Sequence, residues 1–227
     1  MPDRTPAIAH PAATVVLLRD SDGGCEVLLV RRNAQLAFHG GAWVFPGGRI
    51  DREDYTAAGS DDVIAAARHG AVREAREEAG VDIAVDALVL VSRWITPDVL
   101  PKRFDTWFFA AEAGGHDVQV DGAEIHDHRW FRIADALAAQ KAGEIDLPPP
   151  TFVTILALTQ HHSVHAALAA FARGPMPTFA PRVATLTEGP CTLYEGDAGY
   201  QDGDATAPGP RHRLVMIDGG WRYERSD

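Results

Sequence analysis

The chain has 227 residues, of which 46% are apolar, and its formal net charge is −11 with a sequence pI ≈ 5.3. This size and composition predict one globular domain of moderate size in a soluble protein. The negative charge disfavours binding to a nucleic-acid backbone, and no apolar stretch has the length of a membrane span or the form of a secretion signal. Cys25 and Cys191 are too few for a disulfide framework, so a cytoplasmic location is the default expectation.

Hydrophobic periodicity predicts an alternation of strands and helices along the first three quarters of the chain. Period-two patterns predict strands near residues 13–19, 25–32, 86–93 and 104–112. Helical patterns cover residues 61–79 and 150–173. This order of elements predicts an α+β fold in which helices pack on a mixed sheet.

The chain divides into a lead-in at residues 1–12, a main domain at residues 13–173 and a C-terminal extension at residues 174–227. The extension is rich in Pro and Gly. It still shows short strand patterns at residues 184–186, 191–194, 213–217 and 221–223. We interpret the extension as an accessory β element and consider a role as a dimer arm, which makes a homodimer one of the expected partners.

Three glutamates crowd one face of the predicted helix 61–79. Glu74, Glu77 and Glu78 stand at positions i, i+3 and i+4, which places their carboxylates side by side. Like charges at this spacing repel one another, so the arrangement favours a doubly charged cation among them. Mg²⁺ or Mn²⁺ is the expected ion, because both prefer oxygen ligands and zinc usually takes His or Cys.

Residues 73–81, with Arg73 before the glutamates and Gly80 after them, resemble the second half of the Nudix box. Residues 41–51 resemble the strand and glycine turn that open this box, with Gly47 and Gly48 as its paired glycines. A glycine pair allows the backbone to approach a phosphate or a metal closely. The resemblance implies a Nudix-type α/β/α sandwich and the hydrolysis of a phosphoanhydride bond with a divalent metal.

The box is interrupted. Five residues separate Gly48 from Asp54, which therefore stands where the family has its first glutamate, and residues 55–72 then separate Asp54 from Arg73. These are eighteen residues where the family has seven, which leaves eleven extra. The first glutamate is therefore replaced or absent, and the candidates for its role are Glu53, Asp54, Asp61 and Asp62. With this interruption, the box resembles that of the Nudix subgroup that includes peroxisomal coenzyme A diphosphatases and many bacterial relatives.

The resemblance also implies roles for individual residues. Glu74, Glu77 and Glu78 are expected to bind the metal, and Arg73 to orient a glutamate of the box through a salt bridge. Many members use an acidic residue from a distant loop, and Glu124, six residues before Trp130, matches the place where it often lies. Glu124 is thus expected to be a general base, a metal ligand or a plain surface acid.

The expected substrate is a small nucleoside diphosphate derivative. Coenzyme A carries an additional 3′-phosphate, and Arg31, Arg32, Lys102 and Arg103 are the cations available to bind it. ADP-ribose, NADH and related conjugates are the alternatives within the same chemistry. A non-catalytic sensor that only binds such a molecule is the alternative of another class, because a fold alone does not give a function.

Overall fold

The computed structural model describes residues 6–35, 40–114 and 125–226. A 3₁₀ turn lies at Val85–Ala87. The main sheet and its helices comprise β1 (Ala9–Ser21), β2 (Gly24–Arg32), β3 (Trp43–Val44), β4 (Gly47–Arg49), α1 (Arg52–Ala58), α2 (Val63–Ala79), β5 (Val89–Ile95), β6 (Arg103–Glu112), β7 (Ile125–Arg132), α3 (Ile133–Lys141), α4 (Pro149–Leu158), α5 (Val164–Arg173) and β8 (Thr178–Phe179). Four further strands follow, namely β9 (Arg182–Leu186), β10 (Gly189–Leu193), β11 (His212–Val215) and β12 (Arg222–Arg225).

The main sheet of the described residues is mixed. Its strand order is β3-β2-β1-β6-β5-β8, and β4 and β7 pair with β1 and β2 respectively. The long central pairing of β1 with β6 is parallel, whereas β2 and β4 run antiparallel to β1. Because β4 pairs with the first half of β1, the glycine pair lies beside Ala12, Ala13 and Thr14 in the middle of the sheet.

Strand β1 is buried on both faces, which explains why its sequence is almost continuously apolar. Val15 and Leu17 pack on the side of α2, while Val16 and Leu18 pack on the side of α3, α4 and α5. This alternation follows from the two-residue period of a strand. The sheet is therefore the middle layer of an α/β/α sandwich, as the sequence resemblance predicted.

A row of alanines brings α2 close to the sheet. Ala67, Ala71, Ala75 and Ala79 recur every four residues and are all fully buried. Their small side chains allow a short distance between the helix and the sheet, and the glutamates beside them reach the glycine turn of β4. The packing of one helical face thus sets the position of the carboxylates on the neighbouring face.

The C-terminal strands form a second, antiparallel sheet in the order β12-β11-β10-β9. This sheet is joined to the main core through aromatic contacts. Tyr194, which follows β10, meets Trp94 of β5 edge-on at 5.8 Å and Phe179 of β8 edge-on at 5.2 Å. The expectation of a mixed sheet with an accessory β element at the C-terminus is confirmed.

Several element boundaries differ from the sequence prediction. The helix predicted over residues 150–173 is two helices, because Ser163 begins α5 and its hydroxyl accepts a hydrogen bond from the Ala166 amide at 3.2 Å. The strand β1 begins at Ala9, inside the predicted lead-in. The strand β8 lies beyond residue 173 and pairs with β5 of the main sheet. The domain boundaries stay predictions.

Candidate active site

The glycine turn of β4 and the helix α2 face each other across a short distance. The Gly47 amide donates a hydrogen bond to Oε2 of Glu78 at 2.9 Å, and Glu78 is only 6% exposed. A Cβ atom at Gly47 would lie under 3.0 Å from atoms of Thr14, and one at Gly48 under 3.0 Å from the Glu74 carboxylate. Any side chain at these two positions would therefore push the strand or the carboxylates away.

Arg73 forms hydrogen bonds with several carboxylates of the site. Its Nη1 donates to Oε1 of Glu74 at 2.7 Å and to Oε2 of Glu77 at 3.1 Å. Its Nη2 donates to the carbonyl of Arg49 in β4 at 2.9 Å. Burial lowers the pKa of Arg73, but the hydrogen-bonded carboxylates of Asp54 and Glu74 outweigh that effect and raise it overall. The guanidinium is thus a permanent cation that holds α2 against the glycine turn.

Asp54 is the carboxylate that pairs with Arg73 across the interruption of the box. Its Oδ1 accepts from Arg73 Nε at 3.2 Å, and its Oδ2 accepts from Arg73 Nη2 at 3.0 Å and from the Asp51 amide at 2.8 Å. Asp54 is buried, whereas the other three candidates for the first glutamate, Glu53, Asp61 and Asp62, are exposed. Asp62 instead caps α2 by accepting from the Ala65 amide at 3.0 Å.

The eleven extra residues produce a helix and a longer α2. Asp54 lies in α1, and α1 packs on α2. This packing brings the buried Asp54 carboxylate into contact with Arg73 of α2. Gly70 makes room for this approach, because a Cβ atom at that position would lie 3.1 Å from Oδ2 of Asp54. The sequence signal for this contact was the spacing of Asp54 from Gly48, but α1 and the role of Gly70 were missed.

These residues surround a cavity of about 530 Å³. Its described lining includes four acidic side chains and three basic ones, namely Asp51, Glu74, Glu77, Glu78, Arg32, Arg49 and Lys102. Thr14 of β1 and Phe104 and Thr106 of β6 form another wall of the cavity, to which the two threonines contribute polar side chains. The sequence analysis missed Asp51, Arg49 and this wall, since only the register of β1 with β6 brings the wall together.

The structure separates the four predicted substrate-binding cations. Arg32 and Lys102 line the cavity, whereas Arg31 and Arg103 do not. Arg31 is exposed, and the pairing of β2 with β7 shifts register between Arg31 and Arg32. Arg103 donates to the carbonyl groups of Ala7 and Thr96 at 2.7 and 3.0 Å and pairs with Asp98. The placement of Arg31 and Arg103 does not support their predicted contact with the substrate.

Arg32 carries a buried nitrogen that is available to a ligand. Within the described part of the chain, its Nε is buried and has no hydrogen-bond partner. Such a donor is costly to leave unpaired. Glu124 lies outside the described residues, so its predicted role as base or ligand stays a prediction.

The chemistry of the cavity fits a hard divalent cation. Glu78 and Glu74 lie against Gly47 and Gly48 of the glycine turn, Glu77 lines the same cavity, and oxygen ligands of this kind suit Mg²⁺ or Mn²⁺. As placed, no three acidic, His or Cys side chains among the described residues converge on one point. Glu74 and Glu77 share Arg73 Nη1 instead, but the Glu77 side chain is 59% exposed and can turn toward the cavity at little cost.

An apolar cleft of about 340 Å³ adjoins the cavity. The two share lining residues, namely Thr14, Arg32, Gly47, Phe104 and Thr106. The cleft and the cavity are thus parts of one continuous depression.

No helix of the described residues has the length and apolarity needed to span a membrane.

Two curated proteins are similar to this chain. An acyl-coenzyme A diphosphatase, NUDT19 of Xenopus laevis, is 27% identical over 155 residues, which are 56% of this chain and 41% of that protein. Putative nudix hydrolase 7 of Caenorhabditis elegans is 25% identical over 171 residues, which are 60% of this chain and 56% of the relative. The chain thus spans about half the length of these relatives.

Solved structures show the same architecture. A NUDIX hydrolase from Alicyclobacillus acidocaldarius aligns with a TM-score of 0.66 and 27% identity, covering 74% of this chain and 99% of that one. The NUDIX domain of Shewanella oneidensis NrtR, which was solved with ADP ribose, aligns with a TM-score of 0.52 and 19% identity over 68% of this chain and 88% of its own. At that identity the second alignment supports the fold alone.

The family model of the NUDIX domain matches residues 9–151, which are more than half of the chain. The matched segment includes the glycine turn, the buried Asp54 and the three glutamates of α2. With the sandwich fold and the site geometry already in place, this match shows that the chain belongs to the Nudix family.

Proposed function

We propose that this protein hydrolyses the diphosphate linkage of a nucleoside diphosphate derivative in a reaction that depends on Mg²⁺ or Mn²⁺. The observation that carries the proposal is that one cavity brings Glu74, Glu77 and Glu78 opposite the backbone of Gly47 and Gly48. A diphosphate would be repelled by these carboxylates if no cation lay between them. Carboxylates facing a backbone turn and basic side chains form an arrangement suited to a metal-bound diphosphate.

The protein groups have separate tasks in this proposal. Glu74, Glu77 and Glu78 would hold the metal, which supplies charge neutralisation of the diphosphate and a more acidic water molecule. The Gly47 amide fixes the carboxylate of Glu78, and Arg73 fixes those of Glu74 and Glu77. Gly48 leaves open the space in front of Glu74, into which a side chain would project. These contacts position the reacting groups before the substrate binds.

The basic residues of the cavity are suited to the substrate oxygens. Arg32 offers its buried Nε, and Lys102 offers an ammonium group on the same cavity wall. Both would donate hydrogen bonds to diphosphate or phosphate oxygens. Such charge-assisted hydrogen bonds are about twice as strong as hydrogen bonds between neutral groups. Water would add to one phosphorus atom as the bridging P–O bond breaks, leaving two phosphate monoesters. Glu124 is the proposed acceptor of the water proton.

Coenzyme A or an acyl-coenzyme A is the proposed substrate. The Xenopus relative is named as an acyl-coenzyme A diphosphatase, and the interrupted box of this chain resembles the subgroup that includes coenzyme A diphosphatases. ADP-ribose, NADH and other nucleoside diphosphate conjugates are the competing substrates. Binding of any of these without turnover would support the sensor instead.

The test is a product analysis across a substrate panel. The protein is incubated with Mg²⁺ or Mn²⁺ and with coenzyme A, acetyl-coenzyme A, NADH, ADP-ribose and nucleoside triphosphates, and products are identified by mass spectrometry. We expect 4′-phosphopantetheine and 3′,5′-ADP from coenzyme A. Cleavage of another member would replace the substrate and retain the mechanism, while measurable binding of the panel without any cleavage would contradict the enzyme.

A further inference from the structure

The apolar cleft beside the carboxylate cavity has a wall that comes from outside the family match. Pro181 just before β9, Val183 on β9 and Thr192 on β10 line it, and all three lie beyond residue 151, where the match ends. The rest of the lining belongs to the main domain and includes residues 94–97, Leu100 and the segment 148–151. The C-terminal extension therefore adds a wall to a groove of the main domain and deepens it into a cleft.

The wall is held rigidly in place. Val183 and Thr192 face each other across the β9–β10 pairing. The strand β10 leads directly to Tyr194, which is fully buried and packs edge-on against Trp94 and Phe179. The hydroxyl of Tyr200 also donates to the carbonyl of Ala180 at 2.8 Å. A wall fixed by such contacts presents a preformed site, as most small-molecule pockets do.

The chemistry of the cleft excludes a strongly polar occupant. Among the described lining residues Arg32 is the charged side chain, and it lies at the junction with the carboxylate cavity. The remaining lining is aliphatic, aromatic, proline, glycine and threonine. A nucleoside with its hydroxyl groups and phosphates would leave many polar groups without partners there. An aliphatic arm needs few partners and gains from leaving water.

Two apolar side chains of the cleft remain in contact with solvent. Val183 is 53% exposed and Leu100 is 40% exposed, and both line the cleft. They belong to different parts of the chain and would be covered together by an apolar ligand. Exposed apolar residues that cluster at a pocket are typical of ligand-binding grooves.

We propose that the C-terminal extension makes this cleft the specificity pocket for an aliphatic arm carried by the substrate, so that the protein prefers acylated to unacylated coenzyme A. The inference rests on the proposed function, because the diphosphate must lie in the adjoining cavity. Arg32 then holds a phosphate oxygen at the junction, the pantetheine arm runs from there into the cleft, and the acyl chain at its end covers Val183 and Leu100. Each methylene that enters the cleft tightens binding by up to about fourfold, until the cleft is full.

The test compares binding of coenzyme A, hexanoyl-coenzyme A and octanoyl-coenzyme A by isothermal titration calorimetry, with Mg²⁺ present and with the Glu77→Gln protein to suppress turnover. We expect octanoyl-coenzyme A to bind at least tenfold more tightly than coenzyme A. Val183→Asn and Leu100→Asn should each reduce this preference at least threefold. Asparagine is neutral, so the change adds no repulsion of the anionic ligand.

Matched controls lie beside both positions. The control variants are Thr185→Asn and Val99→Asn. Thr185 lies on the same face of β9 as Val183, and Val99 directly precedes Leu100. Neither Thr185 nor Val99 lines the cleft. Both controls should retain the preference. The proposed acyl pocket would be wrong if all three ligands bound equally tightly. It would also be wrong if the control variants lost the chain-length preference as strongly as the cleft variants.

The proposed function can fail separately. If the unsubstituted protein cleaves no member of the substrate panel but binding shows the chain-length preference and its loss in the cleft variants, the pocket stands and the hydrolase does not. If coenzyme A is cleaved and chain length has no effect on binding, the hydrolase stands and the pocket does not. Absence of both binding and cleavage overturns both proposals.

Discussion

Two arginine–carboxylate pairs of this protein have similar chemistry and different surroundings. Arg213 of β11 and Asp197 of the loop after β10 form a two-pronged pair at 2.6 and 2.7 Å, with side chains only 3% and 0% exposed. Arg73 and Asp54 form a comparable pair, but the Arg73 side chain is 25% exposed and also contacts Glu74 and Glu77. The first pair directs its bonds into the protein, and the second directs some of them into a cavity.

The partners of each pair show what the difference means. Asp197 accepts further hydrogen bonds from the amides of Gly199 and His212, and Arg213 donates to the carbonyl of Ala205. These bonds hold the loop and strands of the extension together. Arg73 instead spans α1, β4 and the glutamates of α2, so it positions groups that face the cavity. One pair thus organises a wall, and the other organises the proposed chemistry.

The largest expected effect comes from removing a carboxylate that the Arg73 pair positions. We expect Glu77→Gln to lower kcat at least about 100-fold, because a proposed metal ligand is lost, and to leave the urea unfolding curve nearly unchanged. Glu53→Gln is the matched control, since Glu53 is exposed on α1 and does not line the cavity. A Glu77→Gln protein that turns over at a near-normal rate would refute the proposed role of Glu77.

The contrast between the pairs also shows which parts of the molecule follow from sequence. The three glutamates could be placed on one face because helical spacing is local, and the glycine pair could be linked to them through the Nudix resemblance. The partner of Arg73 could not be chosen among four acids, because Asp54 reaches it through the packing of α1 on α2. Arg32 and Lys102 could not be separated from Arg31 and Arg103 without the phase of the strands.

The C-terminal wall was still less accessible from sequence. Its strands were predicted, but the pair of Asp197 with Arg213 joins residues sixteen positions apart in a loop and a strand. No spacing rule marks such a contact. The cleft likewise combines Leu100 with Val183, which meet only after the extension packs on Trp94. Tertiary packing, rather than any motif, creates this region.

The next largest effect should separate stability from activity. In Arg213→Met the buried Asp197 carboxylate loses its cation, and we expect the free energy of unfolding in urea to fall by about 3 kcal/mol. Arg73→Met should cost less, about 2 kcal/mol, because this pair is partly exposed, yet it should reduce kcat/KM at least about tenfold.

Adding Asp197→Asn to Arg213→Met should restore part of the lost stability, because the uncompensated charge is removed. The activity of Arg213→Met is measured in buffer without urea, at a temperature at which circular dichroism shows that the protein is folded. If Arg213→Met loses activity as strongly as Arg73→Met under those conditions, the proposed division between a structural and a positioning pair is wrong.

The smallest expected effect is a pH dependence of the structural pair. Burial alone would raise the pKa of Asp197, but the hydrogen bonds from Arg213 and from the backbone outweigh it and lower the pKa from 3.8 to about 2. A depressed carboxyl pKa stabilises the fold above the unfolded-state pKa, and this contribution is lost as the pH falls from about 4 through 2. We therefore expect the stability difference between the unsubstituted protein and Asp197→Asn to shrink over that range by no more than about 2 kcal/mol.

Urea unfolding at pH 7, 4 and 3 measures the first part of this change, which should reach about 1 kcal/mol by pH 3. Burial lowers the pKa of the neighbouring His212, so its protonation also weakens the fold as the pH decreases, but it does so in both proteins and largely cancels. A difference that stays constant down to pH 3 would mean that Asp197 is not held ionised by Arg213. Because Asp197 and Arg213 anchor the sheet that carries Val183, a shrinking difference should coincide with loss of the chain-length preference before the main domain unfolds.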